Sequence, residues 1–219
     1  MSTNPQKAPP RIRDAAAARE SLLDAAQTAF AESGFSGARI DDIAKSSGYN
    51  KSLIFQYFSD KAGLYQAVVK RLRENSDAAS TQALGEVVGQ NTTLDRTQLE
   101  GLLRASVAWS FAHLSSEPEY LKLFAWEMAE SWKAFQAIDM VEQSTRWGIG
   151  ILESAQSRKV MRADVSAEFV VSQLTMLPFM ALASLPRFAH LYPQFNESET
   201  VAFLTEQTAQ QILHLVFPD

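Results

Sequence analysis

The sequence predicts an all-α protein, and three observations indicate this class. Apolar residues recur at the three- and four-residue spacings of an amphipathic helix along most of the chain. The alternating pattern of a half-buried strand is absent after Ser76. The periodic segments are separated at residues that typically end or begin helices, such as Gly34, Gly48 and Pro118. The composition, 46% hydrophobic and 21% charged, is ordinary for a soluble globular protein.

The chain begins with a segment that has no apolar pattern. Residues 1–13 contain three prolines and three cations, which predicts a disordered basic arm. This arm is either a solvated tail or a second contact to an anion through Arg11 and Arg13. The first helix is predicted over residues 14–33. Gly34 should end it, and the next residue, a phenylalanine, can pack back on its apolar stripe.

Two short helices are predicted to meet at a tight corner over residues 40–58. Gly48 can adopt a positive φ and so end the first of them in a left-handed residue. Asn50 can cap the second helix by accepting a free backbone N–H. The residues expected to face inward are Ile40, Ile43 and Ala44 on the first helix and Ile54 and Phe58 on the second. This arrangement is a helix-turn-helix, whose second helix fits the DNA major groove.

The remainder of the chain is predicted to be helical throughout. Ser59 or Asp60 can cap a fourth helix, which should end near Asn75. Pro178 lies inside an apolar helix, where it should kink the helix and leave a carbonyl without its usual partner. The later helices are predicted over residues 76–88, 97–115, 118–137, 140–157, 166–185 and 197–216.

The charge is divided unevenly along the chain. Residues 1–75 carry 11 Lys or Arg and 8 Asp or Glu, a net charge of +3. Residues 76–219 carry 9 Lys or Arg and 17 Asp or Glu, a net charge of −8. A basic N-terminal region on an acidic body predicts that only the former meets an anion.

Several classes of function find no support in the sequence. The chain has no cysteine, so thiolate catalysis, disulfides and Cys-ligated metals are excluded. Its three histidines are far apart, and none is spaced from a carboxylate as metal ligands are, so neither a metal site, a cofactor nor an enzyme is predicted. No signal peptide is evident, and the apolar run Leu174–Leu185 is expected to be too short to cross a membrane. These features predict a cytoplasmic protein.

A series of residues in the N-terminal third of the chain has a highly specific order and spacing: Leu23-Asp24-Ala25-Ala26, Phe30, Gly34-Phe35, Ile40, Asp42-Ile43-Ala44, Gly48, Tyr57-Phe58 and Asp60-Lys61. In this series the chain resembles the TetR family of bacterial transcriptional regulators. The resemblance implies a DNA-binding domain over residues 14–60 and a ligand-binding and dimerisation domain over residues 61–219. It also implies a homodimer that places two recognition helices in successive major grooves.

The outward-facing side chains of the second corner helix are predicted to contact DNA. Lys51 suits the acceptors of guanine and Gln56 suits adenine, whereas Asn50 either contacts DNA or serves only as a cap. The resemblance implies that Lys61 binds a phosphate at a helix N-terminus. Phe55 stands where the family usually has a phosphate-bonding tyrosine, and it lacks the hydroxyl. The predicted DNA-binding residues are Arg39, Asn50, Lys51, Ser52, Gln56, Tyr57 and Lys61.

Aromatic and methionine side chains are dense between residues 109 and 192, where they form either the core or the wall of a ligand cavity. The candidates for ligand binding are Trp109, His113, Phe124, Glu127, Arg146, Trp147 and Met176. The resemblance implies that the last two helices form the dimer interface, although their composition fits a monomeric core equally well. The candidates for that interface are Phe169, Gln173, Leu177, Leu204, Thr208 and Gln211.

The sequence therefore predicts a homodimeric repressor that binds a palindromic DNA operator and releases it when a small-molecule effector binds. Two alternatives remain open. One is an activator, or a regulator that responds to a protein partner, with the same fold. The other is a helical dimeric scaffold with no role at DNA, because Phe55 and Ala38 depart from the family pattern at a phosphate contact and at a helix start.

Overall fold

The computed structural model describes residues 10–89, 93–138 and 142–217, with side chains described from Ala15 onward. The described residues form ten α-helices and one short 3₁₀ helix, with no strand among them, which confirms the all-α class. Residues 1–9 of the predicted arm, and the side chains of Arg11 and Arg13, lie outside this description.

The helices follow one another in the order that the periodicity predicts, although several boundaries differ. They are α1 Pro10–Gly37, α2 Ile40–Ser47, α3 Lys51–Phe58, α4 Lys61–Val88, α5 Arg96–Ser116, α6 Pro118–Ala129, α7 Lys133–Ala137, α8 Gln143–Ser157, α9 Ala167–Phe188, the 3₁₀ helix Ala189–Leu191, and α10 Glu197–Val216.

Three predicted boundaries are wrong, each for a local reason. The helix α4 runs through residues 75 and 76 without interruption, because no glycine or proline breaks it there. The predicted helix over residues 118–137 is two helices, since Ser131 and Trp132 between them both have φ of 60°. The helix α1 begins at Pro10, four residues before the predicted start, and Gly34 interrupts it as expected, with φ 66° and ψ 178°.

The described chain forms two compact units. The first unit contains α1, α2, α3, the start of α4 up to Arg71, and Lys122–Ile138. Arg71 ties α4 to α1, because its guanidinium donates to Asp24 Oδ1 and to Gln27 Oε1, both at 2.8 Å. The large side chains fully buried in this unit are Leu22, Leu23, Phe30, Ile43, Ile54, Leu64 and Glu127.

The second unit contains Leu72–Leu121 and the described chain from Glu142 onward. In it, α9 packs against α5, α8 and α10, and α10 also packs against α5. A polar network joins the second half of α4 to the start of α8. The carboxylate of Asp77 accepts from the backbone N–H groups of Gln143 and Ser144 at 2.9 and 2.8 Å, and Arg73 donates to Glu142 Oε1. Asp77 therefore caps α8 from another helix.

Pro178 lies within α9, as predicted, and the carbonyl four residues before it has acquired a new partner. A proline at residue 178 has no N–H to donate to the carbonyl of Leu174. Instead, the Ser110 hydroxyl of α5 donates to that carbonyl oxygen at 3.2 Å. The proline thus creates an acceptor that joins α9 to α5.

The helix α9 is longer than the apolar run at its centre. Together with the 3₁₀ helix it forms the segment Ala167–Leu191, which is long and apolar enough, by length and composition, to cross a membrane, with a mean hydropathy of 1.5 in its most apolar 18-residue window. The apolar run Leu174–Leu185 is thus part of a longer apolar helix. Only 17% of that window is buried within the chain, so α9 leaves apolar side chains exposed.

Candidate nucleic-acid interface

The corner between α2 and α3 has the predicted geometry. Gly48 ends α2 with φ 77°, and its N–H donates to the carbonyl of Lys45. Asn50 caps α3, because its Oδ1 accepts from the backbone N–H of Leu53 at 3.0 Å. The hydroxyl of Ser21 on α1 donates to the carbonyl of Ser47 at 3.2 Å, which fixes the corner to the first helix.

The two faces of α3 are clearly separated. Ile54 and Phe58 are buried, with 0% and 6% of their surface exposed. Ser52, Phe55 and Gln56 are exposed and lie at positions i, i+3 and i+4, so they form one outward face. Because the inward residues fix the rotation of the helix, this face is directed to solvent.

Two residues predicted on that face have partners within the first unit. Lys51 is exposed, and its ammonium lies 2.9 Å from the carboxylate of Asp41 on α2. Tyr57 is only half-buried, and its ring meets that of Phe58 edge-on at 6.2 Å. Tyr57 therefore lies at the rim of the outward face and not at its centre.

The start of α2 carries the predicted cation but has no side-chain cap among the described residues. Arg39 occupies the N-cap position, is exposed, and makes no capping hydrogen bond. Ala38 beside it is buried. The N-terminal N–H groups of α2 thus lack the hydroxyl acceptor that usually satisfies them.

Lys61 is the first residue of α4, as the resemblance implies. Its ammonium lies 4.9 Å from the centre of the Phe35 ring and donates to the carbonyl of Ser36 at 3.4 Å. Asp60 caps the helix, because its Oδ1 accepts from the N–H of Gly63 at 2.7 Å. The cation is therefore held at a capped helix N-terminus.

Two close approaches in the first unit are not predicted by the sequence. A Cβ atom at Gly63 would overlap the carbonyl oxygen of Phe58, so only glycine lets α4 start this close to the end of α3. A Cβ atom at Gly34 would lie 2.9 Å from the ring of Trp126, whose Nε1 donates to the carbonyl of Ala31 at 3.3 Å. Nothing in the sequence indicates that Trp126 contacts Gly34 and Ala31, which lie far from it along the chain.

Phe124 and Glu127, two of the predicted ligand-binding residues, lie in the first unit. Glu127 is 1% exposed, and its Oε2 accepts from the N–H groups of Ala134 and Phe135 at 3.0 and 3.2 Å. Burial, followed by the nearby carboxylate of Glu127, raises the pKa of the Tyr65 hydroxyl. Because its carboxylate accepts both of these backbone N–H groups, Glu127 holds the turn between α6 and α7.

The other predicted ligand-binding residues lie in the second unit. The rings of Trp109 and His113 stack at 4.7 Å, and Tyr120 lies 5.5 Å from His113. The Nε2 of His113 is buried and has no hydrogen-bond partner among the described residues. Burial lowers the pKa of His113, an effect that the carboxylate of Glu117 only partly offsets. Trp147 and Met176 are half-buried, and Arg146 is exposed.

The predicted interface residues on α9 and α10 differ in exposure. Phe169 and Gln211 are exposed, Gln173, Leu177 and Leu204 are half-buried, and Thr208 is buried. The exposed large apolar side chains on this part of the second unit are Phe169, Met180, Phe188, Leu191 and Phe203. Such an extended apolar surface is typical of a protein–protein interface.

The fold and the exposed face of α3 define a helix-turn-helix protein with a second, larger helical unit. The sequence profile described as "Bacterial regulatory proteins, tetR family" matches residues 22–68. Residues 22–68, which include the helix-turn-helix, are therefore similar to this family.

Individual proteins show the same similarity. The chain is 31% identical over 118 residues to the HTH-type transcriptional repressor SCO4008 of Streptomyces coelicolor, covering 54% of this chain and 53% of that protein. It is 34% identical over 105 residues to the HTH-type transcriptional activator FasR of Mycolicibacterium smegmatis, covering 48% of this chain and 44% of that protein. The chain thus spans about half the length of these relatives. The fold also matches FadR from Bacillus subtilis, solved in complex with stearoyl-CoA, with a TM-score of 0.67, 14% identity, and coverage of 90% of this chain and 99% of that one.

Proposed function

We propose that this chain is a cytoplasmic transcriptional repressor that binds a palindromic DNA operator as a homodimer and releases it when a small molecule binds. The observation that carries the proposal is the outward face of α3. It presents Ser52 and Gln56 to solvent, while Ile54 and Phe58 anchor the helix from behind. The exposed face of the second helix of a helix-turn-helix is the surface that enters the major groove.

Electrostatics support an anionic partner for the first unit. Residues 1–75 have a net charge of +3, although the whole chain has a net charge of −5. Arg39 and Lys51 are exposed beside the outward face, and Lys61 is held at the start of α4. Binding through such cations releases counterions from DNA, so the affinity should fall steeply with salt.

A gel-shift titration with duplex DNA from the chromosomal region upstream of the chain's own gene tests the proposal. Lys61→Ala removes a phosphate contact and should weaken binding to all sequences alike. Gln56→Ala removes a contact to a base edge and should change the sequence preference. Uniform losses on every sequence for both variants, or binding that is insensitive to salt, would contradict these roles.

The dimer is proposed on the apolar surface of α9 and α10. Phe169 is 49% exposed and lies at the first turn of α9, where a second copy would bury it. A dimer places two copies of α3 at the spacing of one DNA turn, about 34–36 Å. Sedimentation of Phe169→Glu should show a monomer, since a buried, unpaired carboxylate is costly.

The effector is proposed to bind beside Trp109 and His113 in the second unit. The stacked rings provide an apolar wall, and the unpaired Nε2 of His113 can hydrogen-bond to a ligand. We propose that ligand binding there acts on α4, which contributes residues to both units, and so changes the separation of the two recognition helices.

A second candidate function is activation of transcription. It is favoured by the similarity to FasR, which is described as an activator. A reporter gene under the bound operator separates the two candidates. Deleting the regulator should raise reporter expression if it represses and lower expression if it activates.

A further inference from the structure

Phe55 is an exposed aromatic side chain in the middle of the outward face of α3. It is 43% exposed, whereas Ile54 and Phe58 on the same helix are buried. It lies three residues after Ser52 and directly before Gln56, so these three side chains share one surface. Phe55 therefore contributes apolar surface where a protein without a partner would gain by having a polar side chain.

The chemistry of the ring limits what it can recognise. A phenyl ring has no hydroxyl, so it cannot donate to a phosphate oxygen as a tyrosine can. Most edge groups that bases present in the major groove are hydrogen-bond donors or acceptors. The thymine C5-methyl is the apolar group there, and aromatic side chains contact it.

We propose that Phe55 determines sequence specificity by packing against the methyl group of a thymine in each operator half-site. This inference rests on the proposed function, because it assumes that α3 enters the major groove. The neighbouring Gln56 has an amide suited to the N6 and N7 groups of adenine. Phe55 and Gln56 together therefore select A·T pairs at the centre of the half-site.

The experiment uses the full-length chain and an operator selected from a pool of random duplexes. Each thymine of one half-site is replaced in turn by deoxyuridine, which removes only the C5-methyl group. At one thymine, the replacement should weaken binding by the wild-type protein about fourfold, the value of one buried methyl group. Phe55→Ala should bind the thymine and uracil duplexes with equal affinity.

Two further variants serve as controls. Phe55→Tyr keeps the ring and should keep the preference for thymine over uracil. Tyr49→Ala removes the other exposed aromatic side chain beside this helix, which is 38% exposed, and should leave the preference unchanged. Because Phe55 is exposed, Phe55→Ala should retain the wild-type circular dichroism and melting temperature.

Three outcomes would overturn the inference. The wild type could bind every uracil duplex as tightly as the thymine parent, which would mean that Phe55 packs on sugars or not at all. Phe55→Ala could show the same fourfold loss as the wild type, which would assign the methyl contact to another residue. The third outcome is selection of no duplex, in which case the proposed function fails together with the inference.

Discussion

The helix-turn-helix corner and the second unit differ in the distance along the chain between the residues that hold them together. At the corner, Gly48 bonds to Lys45 and Asn50 bonds to Leu53, each three residues away. In the second unit, Ser110 bonds to Leu174, 64 residues later, and Asp77 bonds to Ser144, 67 residues later. The shape of the corner thus depends mainly on short-range backbone geometry, with Ser21 fixing it to α1, whereas the second unit depends on contacts between distant helices.

The largest effect should come from a single methyl group added to the first unit. Gly63→Ala would force the new Cβ into the carbonyl oxygen of Phe58, which is backbone and cannot move independently. We expect a loss of at least about 3 kcal/mol in the free energy of unfolding, measured by urea denaturation. This change would separate the start of α4 from the end of α3.

The matched control lies in the same helix but in the second unit. A Cβ atom at Gly85 would meet no neighbouring side chain or helix within 4 Å in the described part of the chain. Gly85→Ala should therefore stabilise the protein by up to about 1 kcal/mol, because alanine has the higher helix propensity. Equal destabilisation by both substitutions would show that the contact with the Phe58 carbonyl is not the cause of the loss at Gly63.

The short-range character of the corner explains why the sequence predicts it in detail. The positive φ of Gly48, the cap of Asn50 and the buried Ile54 and Phe58 all follow from spacings within eleven residues. Residue type and helix periodicity predict each of these features, and all of them are confirmed. The predicted ends of α10, at Glu197 and Val216, also match.

Other contacts are not predicted by residue type and helix periodicity alone. The sequence predicts the carbonyl freed by Pro178 but not its partner Ser110, because it does not state which helices are neighbours. Glu127 is predicted to bind a ligand, and in the structure its carboxylate accepts the backbone N–H groups of Ala134 and Phe135. A buried carboxylate has the same sequence signature in either role, and only the packing around it distinguishes them.

A substitution at Asp77 tests the long-range network of the second unit. Burial tends to raise the pKa of Asp77, but hydrogen bonds from Ser144 and Gln143 and the charge of Arg73 outweigh burial and lower it. Asp77→Asn replaces one acceptor oxygen by an NH₂ donor facing a backbone N–H group, so it should reduce the free energy of unfolding at pH 7 by about 1–2 kcal/mol, the value of one charge-assisted hydrogen bond. The measurement is urea denaturation of both proteins from pH 7 to pH 2.

The sign of the pH dependence follows from the lowered pKa. The stabilisation from Asp77 is complete above the ordinary aspartate pKa of about 3.9 and is lost as the pH falls through the lower value in the folded state. The difference between wild type and Asp77→Asn should therefore be constant near neutral pH and shrink below about pH 4. Glu153→Gln, at an exposed position on α8, is the control and should show no such convergence. A difference that stays constant to pH 2 would mean that Asp77 does not act through its charge.

The smallest effect is expected at the corner itself, where an ion pair occupies a predicted DNA contact. Asp41 lies 2.9 Å from the ammonium of Lys51, and both side chains are largely exposed. The pair is therefore weak, and Asp41→Asn should leave the free energy of unfolding within about 0.5 kcal/mol of the wild type. The same substitution frees Lys51 and removes a negative charge near the proposed DNA surface, so the operator affinity should rise about three- to fivefold at low salt. The control is Asp42→Asn, which removes the same charge from the adjacent exposed position without freeing Lys51. A smaller gain in operator affinity for this variant would isolate the contribution of the ion pair. An equal gain would assign the whole effect to net charge.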